Sequence, residues 1–224
     1  EDDLLEEITY LVEYPTAFYG EFNKDYVKLP KEVVTTPMKE HQRYFPVSKD
    51  GKLLPYFIAV RNGDKHAIDI VKAGNEKVLE ARLADALFFY DEDIKKPLES
   101  FVENLKTVVF QAKLGTVYDK TLRIEKLAQD IVETLDEKEI LNDTLRAAKL
   151  CKADLVTNMV FEFTELQGVM GREYAKVGGE NDAVAQAIFE HYLPRFAGDI
   201  LPQTQEGIAL SIADKLDSIA GFFA

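Results

Sequence analysis

The sequence predicts an α+β protein, with a mixed α/β segment over residues 1–95 followed by an all-helical segment over residues 96–224. Three observations lead there. β-branched and aromatic runs broken by Gly and Pro crowd residues 1–70. An Asp–Gly pair stands between two such runs. Apolar residues at helical spacing then fill most of the chain beyond residue 75.

In chain order, Tyr14-Pro15-Thr16-Ala17-Phe18-Tyr19-Gly20 combines turn formers with aromatics. Val33-Val34-Thr35-Thr36 reads as a strand that ends at Pro37, since the residue before proline is pushed to extended backbone. Arg43–Val47 and Tyr56–Val60 flank Lys49-Asp50-Gly51-Lys52 and predict a hairpin, closed by a turn at Arg61-Asn62-Gly63-Asp64. A helix is expected from Asn75 as N-cap, carrying Val78, Leu79, Leu83, Ala86, Leu87 and Tyr90. Asp91-Glu92-Asp93 and Pro97 predict a break. Further helices are expected over 98–111 with Gly115 as stop, then near 117–135, 137–151, 154–166, 181–192 and 204–222. Gly168, Gly171, Gly178 and Gly179 read as isolated turn glycines.

Composition narrows the function classes. The chain is 46% hydrophobic and 30% charged, enough apolar material for a core. No apolar run reaches the length of a membrane span. Glu1-Asp2-Asp3-Leu4-Leu5 lacks the basic start of a secretory signal, and both ends read as those of a piece of a longer chain. The single cysteine, Cys151, sits among small apolar residues and suits a reducing, cytoplasmic setting. A net charge of −13 repels nucleic acid as a whole, so any RNA contact must come from a local patch. There is no phosphate-binding loop, no nucleophile elbow and no Cys pair. The three histidines, His41, His66 and His191, lack the spacing of a zinc site.

One cluster stands out. Residues 37–47, Pro-Met-Lys-Glu-His-Gln-Arg-Tyr-Phe-Pro-Val, mix cations, an amide and aromatics. Such a mix can hold phosphates and stack bases, or it can be a solvated helix end feeding a strand whose aromatics are core.

That stretch resembles a signature of the glycyl-tRNA synthetase β-subunit family. The likeness continues through Leu54–Gly63, Gly74–Ala86, Phe88–Tyr90, Leu105–Gln111, Leu114–Lys120, Ala153–Thr157, Glu165–Gly168, Glu190–Phe196 and Ala213–Asp217. It implies membership of an α₂β₂ glycine–tRNA ligase. In that assembly a partner α subunit carries the active site and uses ATP and Mg²⁺, while the β chain engages tRNA(Gly). The segment here would hold no cofactor and no catalytic residue of its own. Its first part is similar to the substrate-module-like region of phenylalanyl-tRNA synthetase β chains. Its helical part resembles an HD-type domain.

On that resemblance the candidate tRNA contacts are Lys39, His41, Gln42, Arg43 and Arg61, with Arg82 and Arg172 further along. In the HD pattern, Tyr118-Asp119-Lys120-Thr121-Leu122-Arg123-Ile124 puts Lys120 where the first metal-binding His stands. Ala153-Asp154 takes the place of the His-Asp pair, and Asp214 matches the late Asp. Both histidine ligands are thus replaced, and no metal is expected: a protonated lysine offers no lone pair and alanine no donor atom. Lys120 is expected to stand in for the cation, paired with Asp154 and Asp214, and His191 to be a hydrogen-bonded structural residue. Two rival readings are an HD-family phosphohydrolase, which would need His at 120 and 153, and a purely structural assembly module.

Overall fold

The computed structural model describes residues 2–223. The chain divides into two compact units, Glu1–Tyr90 and Asp91–Ala224. The α+β class holds, with small sheets and a helical C-terminal region. No helix among the described residues is long and apolar enough to cross a membrane.

The first unit holds α1 (Asp2–Leu11), β1 (Pro15–Glu21), α2 (Lys31–Thr36), β2 (Phe45–Lys49), β3 (Lys52–Asn62) and α3 (Ile68–Asp93), whose last turn is counted with the second unit. Its antiparallel sheet has the order β1-β3-β2. The expected hairpin is β2–β3: Lys49 pairs with Lys52, and Asp50 (φ 51°) and Gly51 (φ 76°) are both left-handed, as a two-residue turn between twisted strands requires. β1 pairs with β3 from Pro15↔Asn62 to Glu21↔Tyr56.

The ladder's parity follows from its two ends. Gly63 N–H donates to Tyr14 O (2.8 Å) and Phe22 N–H to Pro55 O (3.2 Å). Even-numbered residues of β1 therefore bond to β3, and odd-numbered ones turn their N–H and C=O outward. Carboxylates of α3 meet the outward donor of Glu21 (Glu76, 2.8 Å) and, just past the end of β1, that of Asn23 (Glu80, 3.4 Å).

Phe57 lies at the centre of this unit, fully buried and stacked on Tyr44 at 4.5 Å. Gly20 leaves room for it, since a Cβ there would come within 2.2 Å of the Phe57 ring. Leu79, Leu83 and Ala86 of α3 close the core. Burying each such leucine contributes roughly 1.5–3 kcal/mol.

Two expectations fail in this unit. Val33-Val34-Thr35-Thr36 is helix α2 and not a strand. Val33, Val34 and Thr35 are all buried in succession, where a strand would alternate, so packing overrides β propensity. Pro37 does not stop the chain; it opens a wider turn of π type over Pro37–His41 that absorbs its missing N–H. α3 begins at Ile68, not at Asn75. Asn75 lies inside the helix, donating to Val71 O (2.7 Å) and accepting from the Tyr44 hydroxyl (2.5 Å). α1 was not foreseen at all.

Among the described residues, the second unit holds a short hairpin, β4 (Val109–Gln111) and β5 (Gly115–Thr116), and the α-helices α4 (Val117–Thr134), α5 (Leu141–Leu150), α6 (Asn158–Glu162), α7 (Val169–Val177), α8 (Asp182–Glu190) and α9 (Gln205–Phe222). The expected helix over 98–111 is a 3₁₀ segment, Leu98–Thr107, followed by β4. Gly115 (φ 85°) opens β5 and is no helix stop. Thr116 then caps α4 in a reciprocal box with Asp119, an arrangement worth about 1 kcal/mol.

The helix expected over 154–166 is split into Ala153–Val156, α6 and Thr164–Leu166. Thr157 is extended (φ −83°, ψ 156°) and caps α6 by accepting from Val160 N–H, which interrupts the run. α7 contains Gly171, expected in a turn. A Cβ there would meet Ile188 Cγ2 at 2.7 Å and Asp154 Oδ2 at 3.1 Å, so glycine serves close packing. Ile124, Ala128, Ala147, Leu150, Ile188 and Leu210 are among its fully buried apolar residues. Asp93, 1% exposed, ties the unit's start to α6 and α7 by accepting from Asn158 N–H (3.0 Å), Met159 N–H (2.9 Å) and the Tyr174 hydroxyl (2.9 Å).

Candidate functional site

The first unit carries a pocket of about 260 Å³ whose lining includes Gln42, Arg43 and Arg61 together with Phe18, Tyr44 and Asn75. Three local features aim these side chains. Arg43 has left-handed backbone (φ 56°) directly after the π-type turn, which swings its side chain out of the helical path. Its guanidinium meets Glu7 (Nε–Oε1 2.9 Å) and donates to Glu40 O (2.8 Å). Arg61, near the end of β3, donates to His66 O (2.7 Å). Tyr44 is fixed by Phe57 behind it and by Asn75, and burial pushes its hydroxyl up to about 12. Apolar walls come from Ile8, Val12 and Val71.

Of the seven candidate RNA contacts, this pocket gathers Gln42, Arg43 and Arg61. Lys39 and His41 lie half-buried in the preceding turn and are not among its lining residues. Arg82 is placed on α3, away from the lining. Arg172 belongs to the second unit, where its guanidinium lies over the Phe189 ring at 4.8 Å.

The second unit holds a buried ionic cluster. Helical spacing sets Lys120 and Arg123 on one face of α4 and Asp214, Asp217 and Ser218 on one face of α9. The Lys120 ammonium, 5% exposed, stands 2.8 Å from Asp214 Oδ1, off the line of a hydrogen bond. It donates to Asp217 Oδ2 (3.0 Å) and Ser218 Oγ (2.8 Å). Lys152 takes the other oxygen of Asp214 at 2.9 Å and lies over the Tyr192 ring at 4.1 Å. Arg123 holds Asp217 at 2.5 Å. Burial works to raise the Asp214 carboxyl, but Lys152 and Lys120 outweigh it and hold it well below the usual carboxylate range.

Asp154 is not a partner of Lys120. Its Oδ2 accepts from Gly168 N–H (2.6 Å) and Gly171 N–H (3.1 Å) at the start of α7, while its Oδ1 is buried without a hydrogen-bond partner among the described residues. Burial pushes its carboxyl up to about 6 against those bonds. His191 is fully buried with Nδ1 2.5 Å from Ile188 O, and burial, reinforced by Lys152, drives its pKa well below the ordinary 6.5. Ala153 is buried and offers no donor.

These residues do not fit a divalent cation of the HD type. Two ammonium groups already sit on the two oxygens of Asp214, and like charge repels a metal. Among the described residues, no group of three or more His, Cys, Asp or Glu side chains is placed to hold one. Sequence reasoning missed Lys152, Arg123 and Asp217. The Lys120-x-x-Arg123 and Asp214-x-x-Asp217 spacings were the available signal, each pairing like charges on one helical face.

A family model described as "Glycyl-tRNA synthetase beta subunit" matches residues 1–224. Curated relatives described as the glycine–tRNA ligase beta subunit include those of Clostridioides difficile, 77% identical over 224 residues, Desulforamulus reducens, 60% over 226, and Bacillus subtilis, 51% over 226. Each match covers 100% of this chain and 32–33% of the relative, so the chain spans about a third of the length of the curated relatives it matches.

Proposed function

Because the chain belongs to the glycyl-tRNA synthetase beta-subunit family, we propose that it serves cytoplasmic glycine–tRNA ligase by engaging tRNA(Gly) and by carrying subunit structure, with no chemical step of its own. The observation behind this reading is the convergence of Gln42, Arg43 and Arg61 on one pocket beside Phe18 and Tyr44. Guanidinium forks suit phosphate oxygens, and the amide and aromatic groups suit a base edge and a base face. On a chain of net charge −13 such a pair of cations is a local exception that orients an RNA the overall field repels.

In this reading a partner α subunit supplies the ATP- and Mg²⁺-dependent activation of glycine within an α₂β₂ assembly. The second unit is an HD-like scaffold whose Lys120–Asp214–Lys152 clasp occupies the position of the metal. The rival phosphohydrolase reading lacks its ligands, because Lys120 and Ala153 stand where histidines are required. The test is binding of tRNA(Gly) to the chain across a salt series, with the double variant Arg43→Ala/Arg61→Ala alongside. Binding that weakens with salt and drops about tenfold or more in the variant is expected. No binding, or equal binding by both proteins, favours a purely structural module.

A further inference from the structure

We propose that the outward edge of β1 is a docking site for an extended, acid-flanked peptide strand of a protein partner. The inference starts from the parity of the ladder. Ala17 and Tyr19 are odd-numbered, so their N–H and C=O groups point away from β3. β1 is an edge strand. At Glu21 and Asn23 the outward donors are capped by Glu76 and Glu80 of α3. Nothing among the described residues caps those of Ala17 and Tyr19. An open edge of this kind is a template for another strand, and proteins ordinarily cover it.

The space beside it is shaped for one. A pocket of about 320 Å³ runs along this edge, walled on the far side by Lys65, Ile68, Asp69 and Lys72. Lys72 stands over the Tyr19 ring at 4.3 Å. The groove thus offers alternating backbone donors and acceptors at strand spacing, an apolar wall at Ile68, and a cation towards each end. Seven residues of helix cover about 10 Å, and side chains four residues apart on a strand about 13 Å. Two carboxylates so spaced on a ligand can reach Lys65 and Lys72 while the residues between them pair with Ala17 and Tyr19.

Two other occupants are disfavoured by the same geometry. A phosphate backbone would accept from the two N–H groups but meet the outward carbonyls of Ala17 and Tyr19 with like partial charge. A second copy would bring its own Lys65 and Lys72 towards the same two cations.

The probe is fluorescein-labelled acetyl-Glu-Val-Thr-Val-Glu-amide, titrated into the 224-residue chain and read by anisotropy. Two further copies are N-methylated, one at the valines and one at the threonine and glutamates, so that each loses donors on one edge only. Saturable binding is expected, with one methylated copy weakened about tenfold or more and the other unchanged. On the protein, Ala17→Pro removes an outward N–H without touching the bonds to β3. It is expected to abolish binding with the thermal midpoint held. Lys65→Glu/Lys72→Glu should switch preference to a lysine-flanked peptide. No binding up to about 1 mM, equal effects of the two methylation patterns, or indifference to Ala17→Pro each overturns the proposal. So does displacement of the peptide by oligouridylate, or a concentration-dependent dimer that Ala17→Pro dissolves.

Discussion

Lys120 and Asp214, 94 residues apart in sequence, stand 2.8 Å apart between α4 and α9 in the buried part of the second unit. Asp214 has Lys152 on its other side, and Lys120 has Asp217 on its other side. Charge therefore alternates through the cluster, and each buried ion has an opposite neighbour. Removing Lys120 takes a cation from both carboxylates at once and leaves each with a single partner, Lys152 for Asp214 and Arg123 for Asp217.

Lys120→Met is accordingly expected to cost about 3–5 kcal/mol of unfolding free energy, because Asp217 and Asp214 each lose a cation while remaining buried. Urea denaturation reads this directly. In a double-mutant cycle with Asp214→Asn the two losses should be strongly non-additive. A cost below about 1 kcal/mol would place the pair in effectively solvated surroundings.

Divalent metal should do nothing for the fold. Both Asp214 oxygens face ammonium groups, so adding Mn²⁺ is expected to leave the thermal midpoint unchanged. A retained site would raise it progressively with metal concentration. The same titration on Lys120→Ala/Lys152→Ala asks whether the carboxylates alone suffice.

Asp154 and His191 should oppose each other in acid. The Asp154 carboxyl is raised from 3.8 to about 6 in the fold, so the folded state binds more protons between those values. Its contribution to stability therefore rises as pH falls through that window, by roughly 3 kcal/mol in total. His191 is depressed below 6.5 and stays neutral in the fold, so its contribution falls as pH drops below 6.5. Asp154→Asn keeps an acceptor for Gly168 and Gly171 but removes the first effect. The variant should lose more stability than the parent between pH 7 and pH 4, as paired urea curves would show. Below 3.8 both proteins should weaken, because Asp214 and Asp217 are held below that ordinary value.

In the assembled ligase, Arg43→Ala is expected to raise KM for tRNA about tenfold while leaving glycine-dependent ATP–pyrophosphate exchange within about twofold. Losing both activities together would indicate damage through the Glu7 contact. Arg172→Ala, placed in the other unit, should leave tRNA KM unchanged.

Much of the architecture was legible where a local rule acts alone. Asp50–Gly51 specified its turn through left-handed backbone, and the apolar periods of α4 and α9 marked their faces. Reading failed where packing decides. Val33 and Val34 favour strand by themselves, yet burial from several sides makes them helical. Gly171 looks like a turn residue until Ile188 is placed against it. The position of Lys120 was readable from its motif and so was Asp214 as its partner. Asp154 was misassigned because the N–H groups that bind its Oδ2 come from Gly168 and Gly171, which no pattern at Asp154 announces. Lys152 went unseen because its neighbour Ala153 carried the motif position.

The clasp of two lysines on one carboxylate also acts as an evolutionary ratchet. Conversion to a ligand set would have to replace Lys120, Lys152 and Ala153, and each single exchange takes a counter-charge from a buried carboxylate or crowds a fresh side chain into a filled interior. The surface around the clasp is free to vary, while the interior is held to its ion-pair arrangement by the packing on every side of it.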